Sequence, residues 1–170
     1  MATRILLAAA VLLLAGCAAS PAPSDELRLV ETKSPVQLLR NEAAGRLDAS
    51  VVSDVRKTGD LSFPCYNEEQ NPGGIVRQWK SSADLVLVEG SDRVGAAQSL
   101  VASFVEQGWS AKEVSSDTSF GLTLLTSTTS VASIEVSSAD ETASAMIRIT
   151  ATGPCVTTGG PDSDEVTALE

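Results

Sequence analysis

The spacing of apolar residues changes several times along the chain, and each change marks an element. Ile5 to Ala15 is an unbroken apolar run, shorter than the roughly 20 residues that a spanning helix needs. Farther on, Leu39, Ala43 or Ala44, Leu47, Val51 and Val55 recur every three or four positions, the period of a one-sided helix. Ser34-Pro35-Val36-Gln37 offers a capping serine, a proline suited to the first helical position and a glutamine completing a capping box. The spacing therefore predicts a helix from about Pro35 to Thr58, weakened by Gly45 and stopped by Gly59. A short strand is expected around Phe63-Pro64-Cys65-Tyr66, followed by turn material from Asn67 to Gly74. Ile75 to Val88 reads as extended, and its apolar end Leu85-Val86-Leu87-Val88 suits a central strand. Ser91 then caps a second helix, about Asp92 to Gln107, with Val94, Ala97, Leu100 or Val101, and Phe104 as its apolar face and Gly108 as its stop.

From Trp109 the period falls from 3.6 to 2. Trp109 to Ser115, Phe120 to Ser127, Val131 to Ser137 and Ala143 to Thr152 are candidate strands, joined by short Ser-, Thr-, Asp- and Gly-rich links. Helices followed by a run of hairpins imply an α+β fold: an antiparallel sheet of about five or six strands with two helices packed on one face. Alternating apolar positions from Leu122 to Ala151 are expected to face the helices, with Ile134, Ile147 and Ile149 buried. Ser115 to Ser138 is dominated by Ser and Thr, which reads as the wet face of this meander.

Composition narrows the chemistry. There is no histidine in 170 residues, so Ser-His-Asp triads, Cys-His dyads and histidine-ligated metals are excluded. With 12 Lys+Arg against 22 Asp+Glu, the formal net charge of −10 argues against nucleic acid and anionic lipid as partners.

The early apolar run follows Arg4 and ends in Leu14-Ala15-Gly16-Cys17. This is a charged segment followed by a leader-length apolar segment, and its end resembles the lipobox of bacterial lipoproteins. The resemblance implies a signal peptide over residues 1–16, cleavage before Cys17 and a diacylglycerol on the Cys17 thiol. It also implies attachment to the cell membrane on the extracytoplasmic side. At about 0.8 kcal/mol per buried methylene, two acyl chains give a stable anchor where one gives reversible attachment. Residues 17–33, rich in small residues and proline at the start, are expected to be a flexible tether. Residues 34–156 would form a single domain, and the acidic stretch 157–170 a disordered tail.

Cys65 and Cys155 remain, and an even pair in an exported chain implies a structural disulfide. The layout from Glu106-Gln107-Gly108-Trp109 through the hairpins to Gly153-Pro154-Cys155 is similar to small actinobacterial exported lipoproteins of unknown function. In those, an early cysteine commonly pairs with a late one. The likeness implies fold and address, without a reaction.

No P-loop, dinucleotide turn or Ser-x-x-Lys occurs. Asp162-Ser163-Asp164-Glu165 lacks the glycine and distal glutamate of a calcium loop, and Glu68-Glu69 and Asp140-Glu141 read as solvated turn charges. No catalytic, cofactor-binding or metal residues are singled out. Trp109 is expected to pack its helix back onto the sheet, and Trp79 is a weak candidate for ligand binding. The expectation is a non-catalytic binding or interaction module that meets a protein or a cell-envelope component. The alternative is an envelope hydrolase built from scattered Asp, Glu, Ser and Lys, which would need a buried carboxylate with a raised pKa.

Overall fold

The computed structural model describes residues 27–117, 120–138 and 146–169. Its elements are α1 (Leu29–Ala44), β1 (Val52–Pro64), β2 (Val76–Leu87), α2 (Arg93–Val105), β3 (Ser110–Asp117), β4 (Phe120–Thr126), β5 (Ser133–Ser137), β6 (Met146–Thr152), β7 (Val156–Thr157) and α3 (Asp164–Thr167). The strands form an antiparallel sheet in the order β1-β2-β6-β5-β4-β3, with the short β7 paired to the start of β2. α1 and α2 lie on one face. This is the expected α+β architecture, and Cys65 and Cys155 close the expected disulfide with Cα atoms 6.0 Å apart.

The first helix differs in extent from its expected Pro35 to Thr58. It begins six residues earlier, because Leu29, Thr32, Val36, Leu39, Arg40 and Ala43 form the stripe that packs on the sheet. The Glu31 carboxylate accepts from the Arg28 N–H at 2.8 Å and closes its first turn. Pro35 sits inside the helix rather than at its start. Residues 29–33, expected in the tether, thus belong to the folded domain, and Leu29 is fully buried. The helix ends at Ala44, and a turn built on Asp48 reverses the chain. Val51 and Val52 N–H groups donate to its carbonyl, and its carboxylate accepts from the Ser50 N–H at 2.7 Å. That backbone hydrogen bond, helped by the Ser50 side chain, holds the Asp48 carboxyl below its ordinary pKa.

The turn leads into β1, an edge strand. Its polar residues and two register shifts, at Val52/Asp54 and Lys57/Gly59, obscure the alternation of a strand and leave Val51 and Val55 at helical spacing. In β2 the alternation is plain: Trp79, Ser81, Ala83, Leu85 and Leu87 point to the core. Ile147, Ile149 and Ala151 of β6 and Ile134 and Val136 of β5 continue that face, all buried as expected.

In β4 the sides are exchanged. Leu125 is fully buried and pairs with Ile134, and Thr123 pairs with Val136, so Gly121, Thr123 and Leu125 face the helices. Leu122 and Leu124, expected inward, lie opposite Ser137 and Glu135 on the outer face. α2 is capped by Asp92 rather than Ser91, its carboxylate accepting from the Gly95 N–H at 3.1 Å. A Cβ on Gly95 would come within 2.5 Å of that carboxylate, which explains a glycine in the first turn. The buried positions of α2 are Ala96, Leu100 and Phe104; Val94 is 47% exposed.

The two helices are fixed differently. Asp60 of β1 accepts from Gln37 Nε2 at 2.5 Å and from Trp79 Nε1 at 2.8 Å. Arg40 donates to Ser81 Oγ at 2.7 Å in a buried setting. Burial works against the Asp60 charge, but the hydrogen bonds from Trp79, Gln37 and Ser81 and the Arg40 guanidinium outweigh it, so its pKa lies below the ordinary value. α2 meets α1 through Arg46, which donates to the Ser103 carbonyl at 2.7 Å, lies 3.6 Å from the Phe104 ring centroid and also binds Glu42 and Gln107. Trp109 packs edge-on to Phe104, with ring centroids 5.1 Å apart.

The C-terminal stretch is part of the fold rather than a tail. Thr158 donates to the Ile75 carbonyl at 2.8 Å, beyond β7. Val166 of α3 is 1% exposed and belongs to the core. Glu165 accepts from the Leu29 N–H at 3.2 Å, and Lys33 donates to the Leu169 carbonyl at 2.5 Å. Gly159-Gly160-Pro161 has the composition of a disordered link, yet it makes a turn in which Gly160 takes a φ of 96°, the left-handed region that favours glycine.

Two of these contacts can be weighed by unfolding. Val166→Ala should cost about 1.5–3 kcal/mol in urea unfolding, from two buried carbons at about 0.8 kcal/mol each and the cavity they leave; an unshifted midpoint would detach α3 from the core. The Asp60 pKa is lower folded than unfolded, so its contribution is present above the unfolded value near about 4 and is lost as pH falls through the folded value. Unfolding midpoints of Asp60→Asn should therefore fall less steeply than wild type below about pH 4.

Candidate functional site

Two faces of α2 have different surroundings. Ala96, Leu100 and Phe104 lie against the core, whereas Val94, Ala97, Val101 and Val105 run beside them along the helix and face β3 and β4. The strands below do not rise to meet that second stripe. Their helix-facing residues are Ala111 and Glu113 on β3 and Gly121 and Thr123 on β4. Short or polar side chains there leave an open groove of about 660 Å³ between the helix and the sheet, within the size range of ligand sites.

Val136 and Ser138 close one side of the floor and Gln98 borders the helix side. A Cβ on Gly121 would stand 2.9 Å from Ser138 Oγ, so glycine keeps β4 and the end of β5 close together at this place. The groove thus combines an apolar wall of valine and alanine with hydrogen-bonding groups on Gln98, Thr123 and Ser138. Among the described residues, Glu113 is its one charged lining residue. Such a lining can enclose apolar side chains or an apolar small molecule and can accept a cation beside them.

Two smaller hollows have other characters. One, between the ends of α1 and α2, is filled with the hydrogen bonds of Arg46 described above. The other, about 280 Å³, lies on the outer face of the sheet beside Leu61, Phe63, Lys80 and Arg148. Arg148 there forms a two-point pair with Asp84 at 2.7 and 3.0 Å.

The residues singled out from sequence fall in different places. Cys17 and Asp140-Glu141 lie outside the described residues. Trp79 has no exposed surface; its indole donates to Asp60 and Lys33 Nζ sits 4.5 Å from its ring centroid. It is a core residue that anchors α1, not a binding platform. Glu68 accepts from the Gly73 N–H at 3.2 Å within its turn. Asp164 and Glu165 occupy the first turn of α3. Among the described residues no three His, Cys, Asp or Glu side chains are grouped to hold a metal ion.

The groove does not emerge from the sequence patterns above. Its one trace there is Val94, Ala97 and Val101, expected on the core face of α2 but found beside the Ala96, Leu100 and Phe104 stripe that reaches the core. No family model, curated protein or solved structure matches the chain.

The groove makes a checkable statement about the isolated domain. A neutral solvatochromic dye should brighten on the native protein, and Val105→Glu, at a position 46% exposed, should weaken its binding about tenfold or more by placing a charge in the apolar wall. Leu38→Glu, at a more exposed position on α1, should leave dye binding unchanged.

Proposed function

We propose that the chain is a lipid-anchored, non-catalytic binding module on the extracytoplasmic side of the cell membrane, and that the groove under α2 is where it engages its partner. The observation that carries this reading is the groove: an accessible apolar wall over a floor of small and hydrogen-bonding side chains. A concave cleft of this size, with an apolar wall and a few convergent hydrogen-bonding groups, has the usual form of a binding site.

The address rests on Leu14-Ala15-Gly16-Cys17 and its resemblance to a lipobox, which would give a diacylglycerol on Cys17 as the membrane partner. The other partner is a protein or an envelope component rather than nucleic acid, in keeping with the net charge of −10. The hydrolase alternative asks for a buried carboxylate with a raised pKa. The two carboxylates with displaced values among the described residues are Asp48 and Asp60; both are lowered, and both hold turns or helices in place.

Cys17→Ala tests the anchoring. In cell fractions the variant should leave the membrane for the soluble pool or keep an uncleaved leader. Unchanged membrane attachment and processing would overturn the lipid anchor.

A further inference from the structure

The groove opens on the edge of the sheet. β3 is the last strand in the order, and no described strand pairs with its outer edge. Its helix-facing residues Ala111 and Glu113 line the groove, and Val101 and Val105 stand above them. We propose that the partner is an extended polypeptide segment that adds to β3 as a further strand and sends alternate side chains into the groove; this rests on the groove being the binding site.

The two features supply complementary parts of such a site. An unpaired strand edge offers backbone N–H and C=O groups to a guest whatever its sequence, and the pockets beside it select alternate side chains. A guest strand lies about 4.8 Å from β3, which places its helix-facing residues beside Ala111 and Glu113. The position next to Ala111 lies against the valine stripe and calls for an apolar residue. The position next to Glu113 lies beside the one charge among the described lining residues and calls for Lys or Arg. Because these two positions are on one face of a strand, the guest carries its apolar and basic residues two positions apart.

The length of the contact is also set. β3 shifts register against β4 between Glu113 and Ser115, and such a bulge ends regular pairing on a strand edge. The regular part, Ser110 to Glu113, is the part that lines the groove. The guest therefore pairs along these four residues and not along Ser115 to Asp117. The apolar wall with a carboxylate at its foot favours a peptide over the acyl chain of an anionic lipid, whose headgroup Glu113 repels.

The test uses the soluble chain from Asp25 onward with its disulfide intact, and two synthetic peptides of alternating valine and threonine. The peptides differ only in carrying Lys or Glu two positions from a central valine. Hydrogen exchange is followed by mass spectrometry, and affinity by displacement of the neutral dye. The Lys peptide should slow exchange of backbone amides within Ser110 to Glu113, leave Ser115 to Asp117 unchanged, and bind about three- to fivefold tighter than the Glu peptide. Glu113→Lys should reverse that preference, and Val105→Glu should abolish both interactions. Dye binding without any slowing at Ser110 to Glu113 overturns the strand addition and leaves the groove reading intact. Displacement of the dye by palmitate but by neither peptide makes the groove an acyl-chain site and also overturns it. Absence of dye, palmitate and peptide binding overturns the groove reading as well.

Discussion

Two helices resting on six strands do not match in width. Six strands of about 4.8 Å each occupy roughly 29 Å, whereas two helices side by side, each about 10–12 Å across, cover roughly 20–24 Å. α1 sits over β2 and β6, and α2 over the middle of the other half. The shortfall therefore falls on the outer strands. At the β1 side it is met by polar residues, with Asp60 drawn under α1 by Gln37 and Trp79. At the β3 side it is met by Ala111 and Thr123, which are short, and by Glu113, whose charge stays exposed, and the groove is the result. The composition of the floor and the second stripe of α2 both stem from this mismatch.

The same geometry divides the molecule into a part held by directional bonds and a part held by apolar contact. α1 is fixed by Arg40, Gln37 and Trp79 and by a close approach at Gly153, where a Cβ would stand 3.1 Å from Val36. α2 rests on Ala96, Leu100 and Phe104 and is tied at its C-terminal end by Arg46. Hydrogen bonds fix rotation and register as well as distance, whereas apolar contact is largely indifferent to direction. The helix that walls the groove is thus the one with fewer directional restraints. Both sheet edges carry bulges, on β1 and on β3, a common device against edge-to-edge association; on β3 the bulge leaves Ser110 to Glu113 regular.

Much of the fold is legible from spacing because buried strands and core-facing helix stripes have fixed periods. Ile134, Ile147 and Ile149 alternate as a half-buried sheet requires, and Phe104 lies on the face of α2 that its period marks. The departures have local causes. β1 lies at an edge and contains two bulges, so its alternation is broken and Val51 and Val55 mimic a helical repeat. β4 carries two leucines on its outer face and a glycine and a threonine on its inner face, so apolarity alone assigns the wrong side. At the C-terminus, Val166 and Leu169 are the core-packed residues of a short acidic stretch, too few to set a period. The groove is illegible for a related reason: it is made of what α2, β3 and β4 do not fill, and absence of bulk has no sequence pattern.

The C-terminal segment has a mechanical consequence. The described chain enters the domain at Leu27, and the first two turns of α1 are clipped, through Leu29 and Lys33, to Glu165 and to the Leu169 carbonyl. From there the segment runs back through β7 to Cys155, which is bonded covalently to Cys65 at the end of β1. Tension applied at the N-terminal end is therefore not borne by α1 alone. It is shared with the opposite terminus and passed through a covalent cross-link into the longest strand of the sheet. A domain pulled from this point resists at its pole, and the load path bypasses α2 and the groove at the far edge.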